Sequence, residues 1–445
     1  MPSIDPHDNV LLNDKRVIRA WALFDWANSA FALVITVAIF PGYYIAVTDD
    51  YIPILGIEVA NSALYAYAIS ASYLVIASIS PLLSGIADFG GKKKFFLQGF
   101  TILGASACLS LFFFQGMDQI WLGNVGFILA MIGFAGGLVF YNSYLPEIVT
   151  EDRYDSVSAM GFAYGYAGSL ILLISNLILI FFHEDLGLSE SFATRLAFVM
   201  VGIWWLGFAS IPFRVLPRDR PMPAGDQLFR RGLGELRKVW HIARGAVNIR
   251  RFLLAFFCYS AGVQTVLFLA ATFAEKELDF GTMELIIVII LLQLVAIFGA
   301  YLFARISALA GNKASLILML GIWIVICLGA YFVQTNMAFY GVAAAVGLVM
   351  GGIQSLSRST YSKLLPPETE DTTSFFSFYD VLEKVAIVLG TFTFGFINQM
   401  TGSMRSSILL LSVFFLIALI VMSSLKIKPP AAAGSQPEQP GEAPA

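Results

Sequence analysis

The sequence predicts an all-α integral membrane protein of twelve transmembrane helices arranged as two six-helix bundles. Three observations carry that expectation. The 445 residues are 58% hydrophobic and only 13% charged, with a mean hydropathy of +0.78, which is membrane composition rather than that of a large soluble core. Apolar runs long enough to cross a bilayer recur twelve times along the chain. A set of short motifs also recurs at one offset between the two halves.

Crossing the hydrocarbon takes about 20 helical residues. The candidate spans are 18–46, 62–83, 95–114, 121–145, 159–182, 195–214, 252–274, 283–304, 314–333, 337–357, 374–398 and 406–425. Their apolar residues are continuous rather than alternating, so helices are expected, because a helix satisfies its own backbone hydrogen bonds in lipid. The first run exceeds the apolar core of a cleavable signal and is read as a retained span. Cys108, Cys258 and Cys327 all fall inside spans. Packing is their expected role, since neither a disulfide framework nor a metal site can be built from them. No cofactor is expected.

Charge sets the topology. The N-terminus and the even-numbered loops hold Lys15, Arg16, Arg19, Lys92, Lys93, Lys94, Arg153, the dense set from Arg214 to Arg251, and then Arg305, Lys313, Arg358, Lys363, Lys426 and Lys428. Of the 27 lysines and arginines, only Arg195, Lys276 and Arg405 fall on the other side, and Lys384 lies within a span. Because positive loops stay in the cytoplasm, both termini are expected there, with the protein in the cell's inner (plasma) membrane. The net charge of −3 hides this asymmetry, which speaks for topology and against a nucleic-acid partner.

The domain organisation follows: an N-terminal stretch 1–17, a bundle 18–214, a connector 215–250, a second bundle 251–425 and a tail 426–445. In the connector, Phe229, Leu233, Leu236, Trp240, Ala243 and Val247 recur at helical spacing, with Arg230, Arg237, Lys238 and Arg244 elsewhere on the wheel. That pattern predicts an amphipathic helix on the membrane surface, in contact with lipid. The tail, rich in proline, alanine and small polar residues, is expected to be disordered.

An internal repeat supports the two-bundle division. Tyr141, Leu145 and Pro146 followed by Thr150-Glu151-Asp152 recur as Tyr361, Leu365 and Pro366 followed by Thr369-Glu370-Asp371, and Gly91 and Lys93 recur as Gly311 and Lys313. Both sets share an offset of about 220 residues, the mark of a parallel duplication.

SGIADFGGKKK, residues 84–94, is similar to the loop signature of the major facilitator superfamily. Asp88, Gly91, Lys92 and Lys93 fit it, whereas Ser84 replaces the usual glycine and Phe89 the usual arginine. Physically, glycine permits the tight turn, Asp88 can accept hydrogen bonds from a helix N-terminus, and the lysines hold the loop in the cytoplasm. The resemblance implies that this loop latches one alternating-access state. DWANSAF (25–31), YNSYLPEI (141–148), SRSTY (357–361) and FFSFYDVLEK (375–384) together resemble the bacterial branch of the unknown major facilitator family, relatives of fungal vacuolar amino-acid effluxers. This implies a secondary transporter and not an enzyme, with a small-molecule substrate and efflux of an amino acid as the activity best supported among relatives. A monomer is expected, and protons are one candidate for the coupling ion, which the sequence leaves open together with the direction of transport.

Buried polar residues are the candidates for the substrate and proton pathway. A carboxylate in hydrocarbon costs about 3 kcal/mol or more, so Asp25 should face a cavity or a partner. Asp25, Asn28, Ser29 and Thr36 lie close to one helical face. At six residues past Arg19, roughly 9 Å along the axis, Asp25 serves either the pathway or an ion pair with a cytoplasmic base. In span eleven, Thr373, Ser377, Asp380, Lys384 and Thr391 form a stripe with Glu383 on its edge. Asp380 and Lys384, four apart, can neutralise each other, and Glu383 is then left over. A lysine with a spare carboxylate suits the two ends of an amino acid, and a carboxylate can carry a proton. Asn142, Gln264 and Gln293 are further candidates, with helix–helix joining as the plainer reading. Tyr141 and Tyr379 stand next to these clusters.

Other classes fit less well. His7, His183 and His241 are scattered over three loops, with no His-x-x-x-His or Gly-x-Ser-x-Gly, which argues against a membrane-embedded enzyme. A permease for drugs, sugars or organic acids, and a receptor that does not transport, keep the same fold and pocket.

Overall fold

The structure is a computed structural model that describes residues 12–54, 56–219, 228–366, 369, 371–401 and 403–426. Twelve long helices run through it. They are α1 (Lys15–Val47), α2 (Asn61–Gly90), α3 (Lys93–Ser110), α4 (Ile120–Ser143), α5 (Tyr154–Phe181), α6 (Glu190–Val215), α7 (Val247–Leu278), α8 (Thr282–Ala310), α9 (Asn312–Phe332), α10 (Asn336–Leu364), α11 (Thr372–Thr401) and α12 (Met404–Ser423). Among the described residues, ten of these are long and apolar enough to cross a membrane on their own. The other two are as long, but α7 begins and ends in charge and α11 carries Asp380, Glu383 and Lys384. The residues that make α11 interesting are the ones that lower its hydropathy.

Helix ends follow local chemistry. Asp14 accepts from the Arg16 N–H at the start of α1, and Ser189, Thr335 and Ser403 do the same for the first turns of α6, α10 and α12, each occupying a donor that has no partner within the helix. Gly91 ends α2 with φ +58°, the left-handed conformation glycine adopts without strain.

Helix α1 is not α-helical throughout. Residues Phe31–Ile39 form a π-helix, with the Phe40 N–H donating to the Ile35 carbonyl. Pro41 follows at once. It has no N–H to give and its ring crowds the preceding turn, so widening that turn relieves the clash. Between α1 and α2 the chain forms a hairpin where the sequence reading placed only a loop: β1 (Tyr51–Ile54) pairs antiparallel with β2 (Ile57–Ala60), Tyr51 opposite Ala60.

Among the described residues, apolar packing gathers in two main cores, with a small third cluster of Ala159, Ala300 and Ala304. One draws on buried residues from Val17 to Leu216, joined by Ile387 of α11, and the other on residues from Val239 to Leu425. Small residues allow close approach within each: a Cβ on Gly133 of α4 would lie 2.3 Å from the Gly104 Cα of α3, and one on Gly351 of α10 would lie 2.1 Å from the Ala296 carbonyl of α8.

The connector helix spans Leu228–Gly245 and turns 93° into α7 at Ala246. It packs on α2, where a Cβ on Gly85 would lie 2.4 Å from the Gly232 carbonyl. Val239 and Ala243 are buried, whereas Leu233 and Trp240 face outward. Val247, expected on this helix, opens α7 instead. The side chains of Phe229 and Arg230, and the tail from residue 427 onward, lie outside the described residues.

Candidate functional site

A cavity of about 350 Å³ lies between α1–α6 and α7–α12, lined by both. Asp25, Asn142, Gln264, Glu383 and Lys384 of the expected residues face it, as do Gln293 and Tyr379. Asn28 does not. It is fully buried away from the cavity, and among the described residues neither its amide nitrogen nor its amide oxygen has a partner. The correction is angular: three residues advance a helix by 300°, so Asn28 turns toward the bundle while Ser29, one position on, stays with Asp25.

Asp25 meets a residue that the sequence reading assigned to a loop. Its Oδ1 accepts from the Ser29 hydroxyl (2.8 Å), its Oδ2 from Tyr141 (3.3 Å), and Arg358 Nη1 stands 3.8 Å from Oδ2. In the sequence the apolar run ends at 357, which places Arg358 among the basic loop residues. The helix instead continues to Leu364, and Arg358 is only 2% exposed. It lies beyond the apolar window but within a stretch rich in serine and threonine, Ser355 to Ser362, all buried. That stretch, inside the SRSTY motif, is the signal that could have revealed it.

Arg358 ties α10 to three helices of the other half. Nε donates to the Ser158 hydroxyl (2.9 Å), Nη2 to the Ser158 carbonyl (2.8 Å) and Nη1 to Asn142 Oδ1 (3.0 Å). The guanidinium also lies over Phe162 (4.3 Å), Trp21 (4.7 Å) and Tyr141 (5.3 Å), a setting that favours a cation removed from water. Gly161 makes room for it, since a Cβ there would fall 2.9 Å from Nη2 and 2.8 Å from the Tyr141 oxygen. Beside this, Tyr166 of α5 donates to Gln354 of α10 at 2.5 Å.

On α11 the expected pair forms. Lys384 Nζ lies 2.5 Å from Asp380 Oδ1, with both residues almost wholly buried, and 3.5 Å from Glu383 Oε2. Asp380 sits behind the lysine rather than on the cavity wall, and its Oδ2 has no partner among the described residues. Glu383 Oε1 accepts from Gln264 of α7 at 3.1 Å. The ring of Tyr379 stacks on Phe256.

The end of the molecule that carries the described termini is closed by two clasps. In the first, Asp88 of α2 accepts from the Thr373 and Ser374 N–H groups at the start of α11 (3.2 and 2.7 Å), where the helix dipole favours a carboxylate. Lys93 adds an ion pair with Glu147 and donates to Thr372 (2.8 Å). Gly91 supplies the turn, and Lys92 is exposed. In the second clasp, Asp155 of α5 accepts from Lys363 of α10 (2.7 Å), Ser307 of α8 (2.9 Å) and Asn312 of α9 (2.8 Å). The connector helix reinforces the first, with Lys238 donating to Asp371 at 2.6 Å and Trp240 set against Phe378.

A cavity between two six-helix halves, closed at one end by paired clasps, is the framework of a membrane transporter. The sequence matches the vacuole effluxer Atg22-like family over residues 13–429. The chain belongs to that family. It is 32% identical to the MFS-type transporter YxiO of Bacillus subtilis, over 91% of this chain and 93% of that protein. Autophagy-related protein 22 of Saccharomyces cerevisiae is 26% identical, over 84% of this chain and 79% of that protein. The crystal structure of the human organic anion transporter MFSD10 (TETRAN) superposes with a TM-score of 0.69 at 13% identity, covering 92% of this chain and 99% of that one. This Atg22-like chain is therefore a multi-pass membrane transporter of the major facilitator superfamily.

Proposed function

We propose that this transporter exports a small solute, with amino acids the leading class, by alternating access driven by protons. The observation that carries the reading is the Asp25–Arg358 pair, buried on the cavity wall and shared between the two halves. Asp25 carries the coupling proton. Protonating it would leave the guanidinium buried without its counter-charge, which is costly. The halves then rearrange until Arg358 finds another environment, and that is how one proton would drive one conformational step.

The cavity's volume is within the range of small-molecule sites. The clasped face is the basic one, so by the retention of positive loops it is the cytoplasmic face, and the inner membrane of the cell is the setting. Clasped on that side, the molecule takes or releases cargo at the outer side. The effluxer description of the family supports export.

Counterflow in proteoliposomes loaded with pooled amino acids tests this, comparing wild type with Asp25→Asn, with and without a pH gradient. Exchange of a labelled amino acid by both, with gradient-driven accumulation in wild type alone, is expected. No exchange by folded wild-type protein rejects amino acids as cargo, and gradient-driven accumulation by Asp25→Asn removes the proton from Asp25.

A further inference from the structure

The charges around the cavity do not balance, and the imbalance has one accessible end. Among the described residues at or just behind its wall stand three carboxylates, Asp25, Asp380 and Glu383, against two cations, Arg358 and Lys384. Both cations are occupied. Every nitrogen of Arg358 donates to Ser158 or Asn142, aromatic rings flank the guanidinium, and Asp25 faces it. Lys384 is 4% exposed and closed against Asp380. Glu383 differs, because its side chain is 25% exposed, Lys384 stands 3.5 Å from its Oε2 against 2.5 Å from Asp380, and its Oε1 is held by the neutral Gln264.

Two polar atoms at or just behind the wall are without a partner among the described residues. They are Gln293 Oε1 on the cavity wall and Asp380 Oδ2 behind it, and both are acceptors. Tyr73, Phe256, Tyr259 and Tyr379 line the cavity as well, and aromatic faces attract cations. An acidic, acceptor-rich, aromatic wall suits an N–H-bearing cation. An anionic cargo would have to strip Arg358 or Lys384 from its carboxylate, leaving Asp25 or Asp380 buried and unpaired.

We propose that Glu383 docks a protonated amine, so that the cargo is recognised by a positive nitrogen and needs no carboxylate. This rests on reading the same cavity as the transport site. It extends that reading from size to charge: an amino acid binds through its ammonium end, and the corresponding amine without a carboxylate binds equally well.

The test is calorimetric titration of the purified full-length protein in detergent at neutral pH with three probes that share one ring: phenethylamine, phenylalanine and N-acetylphenylalanine. Wild type is expected to bind the first two within a few-fold of each other and the acetylated anion at least about tenfold more weakly, the scale of one charge-assisted hydrogen bond. Glu383→Gln should lose at least about tenfold for phenethylamine while its thermal unfolding stays as in wild type, and Glu383→Asp should keep part of the affinity. Equal or tighter binding of the anion, unchanged amine affinity in Glu383→Gln, or no binding by any amine in a series from methylamine to phenethylamine overturns the proposal. Binding in detergent is independent of flux. Amine binding without any exchange in proteoliposomes would sink the transport reading alone, and exchange of anions with no amine binding would sink this one alone.

Discussion

Arg358 of α10 and Asp25 of α1 face each other at 3.8 Å across the boundary between the two halves, although 333 positions separate them in the chain. Nearly all the other contacts of the guanidinium are also with the far half. Removing either charge leaves the other buried, so Asp25→Asn or Arg358→Gln alone should cost roughly 3 kcal/mol of stability. The double variant is expected to recover part of that loss without recovering coupled transport. Thermal unfolding of the three variants and wild type forms a double-mutant cycle, and additive losses would show that the pair is not energetically coupled.

Gly161 is the space that Arg358 occupies. Gly161→Ala places a methyl group within 3 Å of Nη2, Tyr141 and Trp21, so it should displace the guanidinium and reduce transport by an order of magnitude or more, about what a 1 Å misplacement costs in a preorganised site. Gly207→Ala is the control, since nothing lies within 4 Å of its added Cβ. It should leave transport at wild-type rates and slightly favour the helix. Equal rates in the two variants would contradict the packing described for Gly161.

Lys384 and Asp380 behave as one unit. Lys384→Met strands Asp380 in the bundle and is expected to lower stability by about 3 kcal/mol, whereas Lys384→Met combined with Asp380→Asn should regain most of it. Denaturation of both variants checks this. A combined variant as unstable as the single one would mean that Lys384 matters for something other than neutralising Asp380.

Two clasps bridge the halves on the basic face. The side chains of Ser143 and Thr373 meet there, fully buried, at 3.4 Å, and the native cysteines are all buried. A cysteine introduced by Ser143→Cys should therefore react with a maleimide only when that face opens. Asp88→Asn and Asp155→Asn, each breaking one clasp, should each raise its labelling rate several-fold, on the scale of 1 kcal/mol or so of lost charge-assisted bonding. Labelling unchanged by both would show that other contacts keep the face closed.

What could be read in advance was local. Hydropathy marked twelve spans because the cost of exposing a backbone or a charge to hydrocarbon is incurred residue by residue. Asp380 and Lys384 were legible as partners because four residues on a helix bring side chains together. Asp88 was legible as an acceptor from the chemistry of its loop, but not the helix whose N–H groups it would meet. Arg358 was misplaced by the same local rule that succeeded elsewhere: in a hydropathy window an arginine at the end of an apolar run reads as a loop residue.

By itself, then, the sequence determined that this is a twelve-span membrane protein with one basic face, charges inside α1 and α11, and a repeat joining its halves. All of these depend on neighbours a few residues apart. Only the tertiary structure decided that Arg358 pairs with Asp25, that Asn28 turns away from the cavity, that Lys93 and Asp88 bond to the start of α11, and that Glu383, with Lys384 at 3.5 Å, is partly exposed on the cavity wall. The pairings of Arg358, Lys93 and Asp88 depend on which helix faces lie opposite one another across some 200 or more positions of chain, and side-chain pairing at that range is set by packing, which no local pattern encodes.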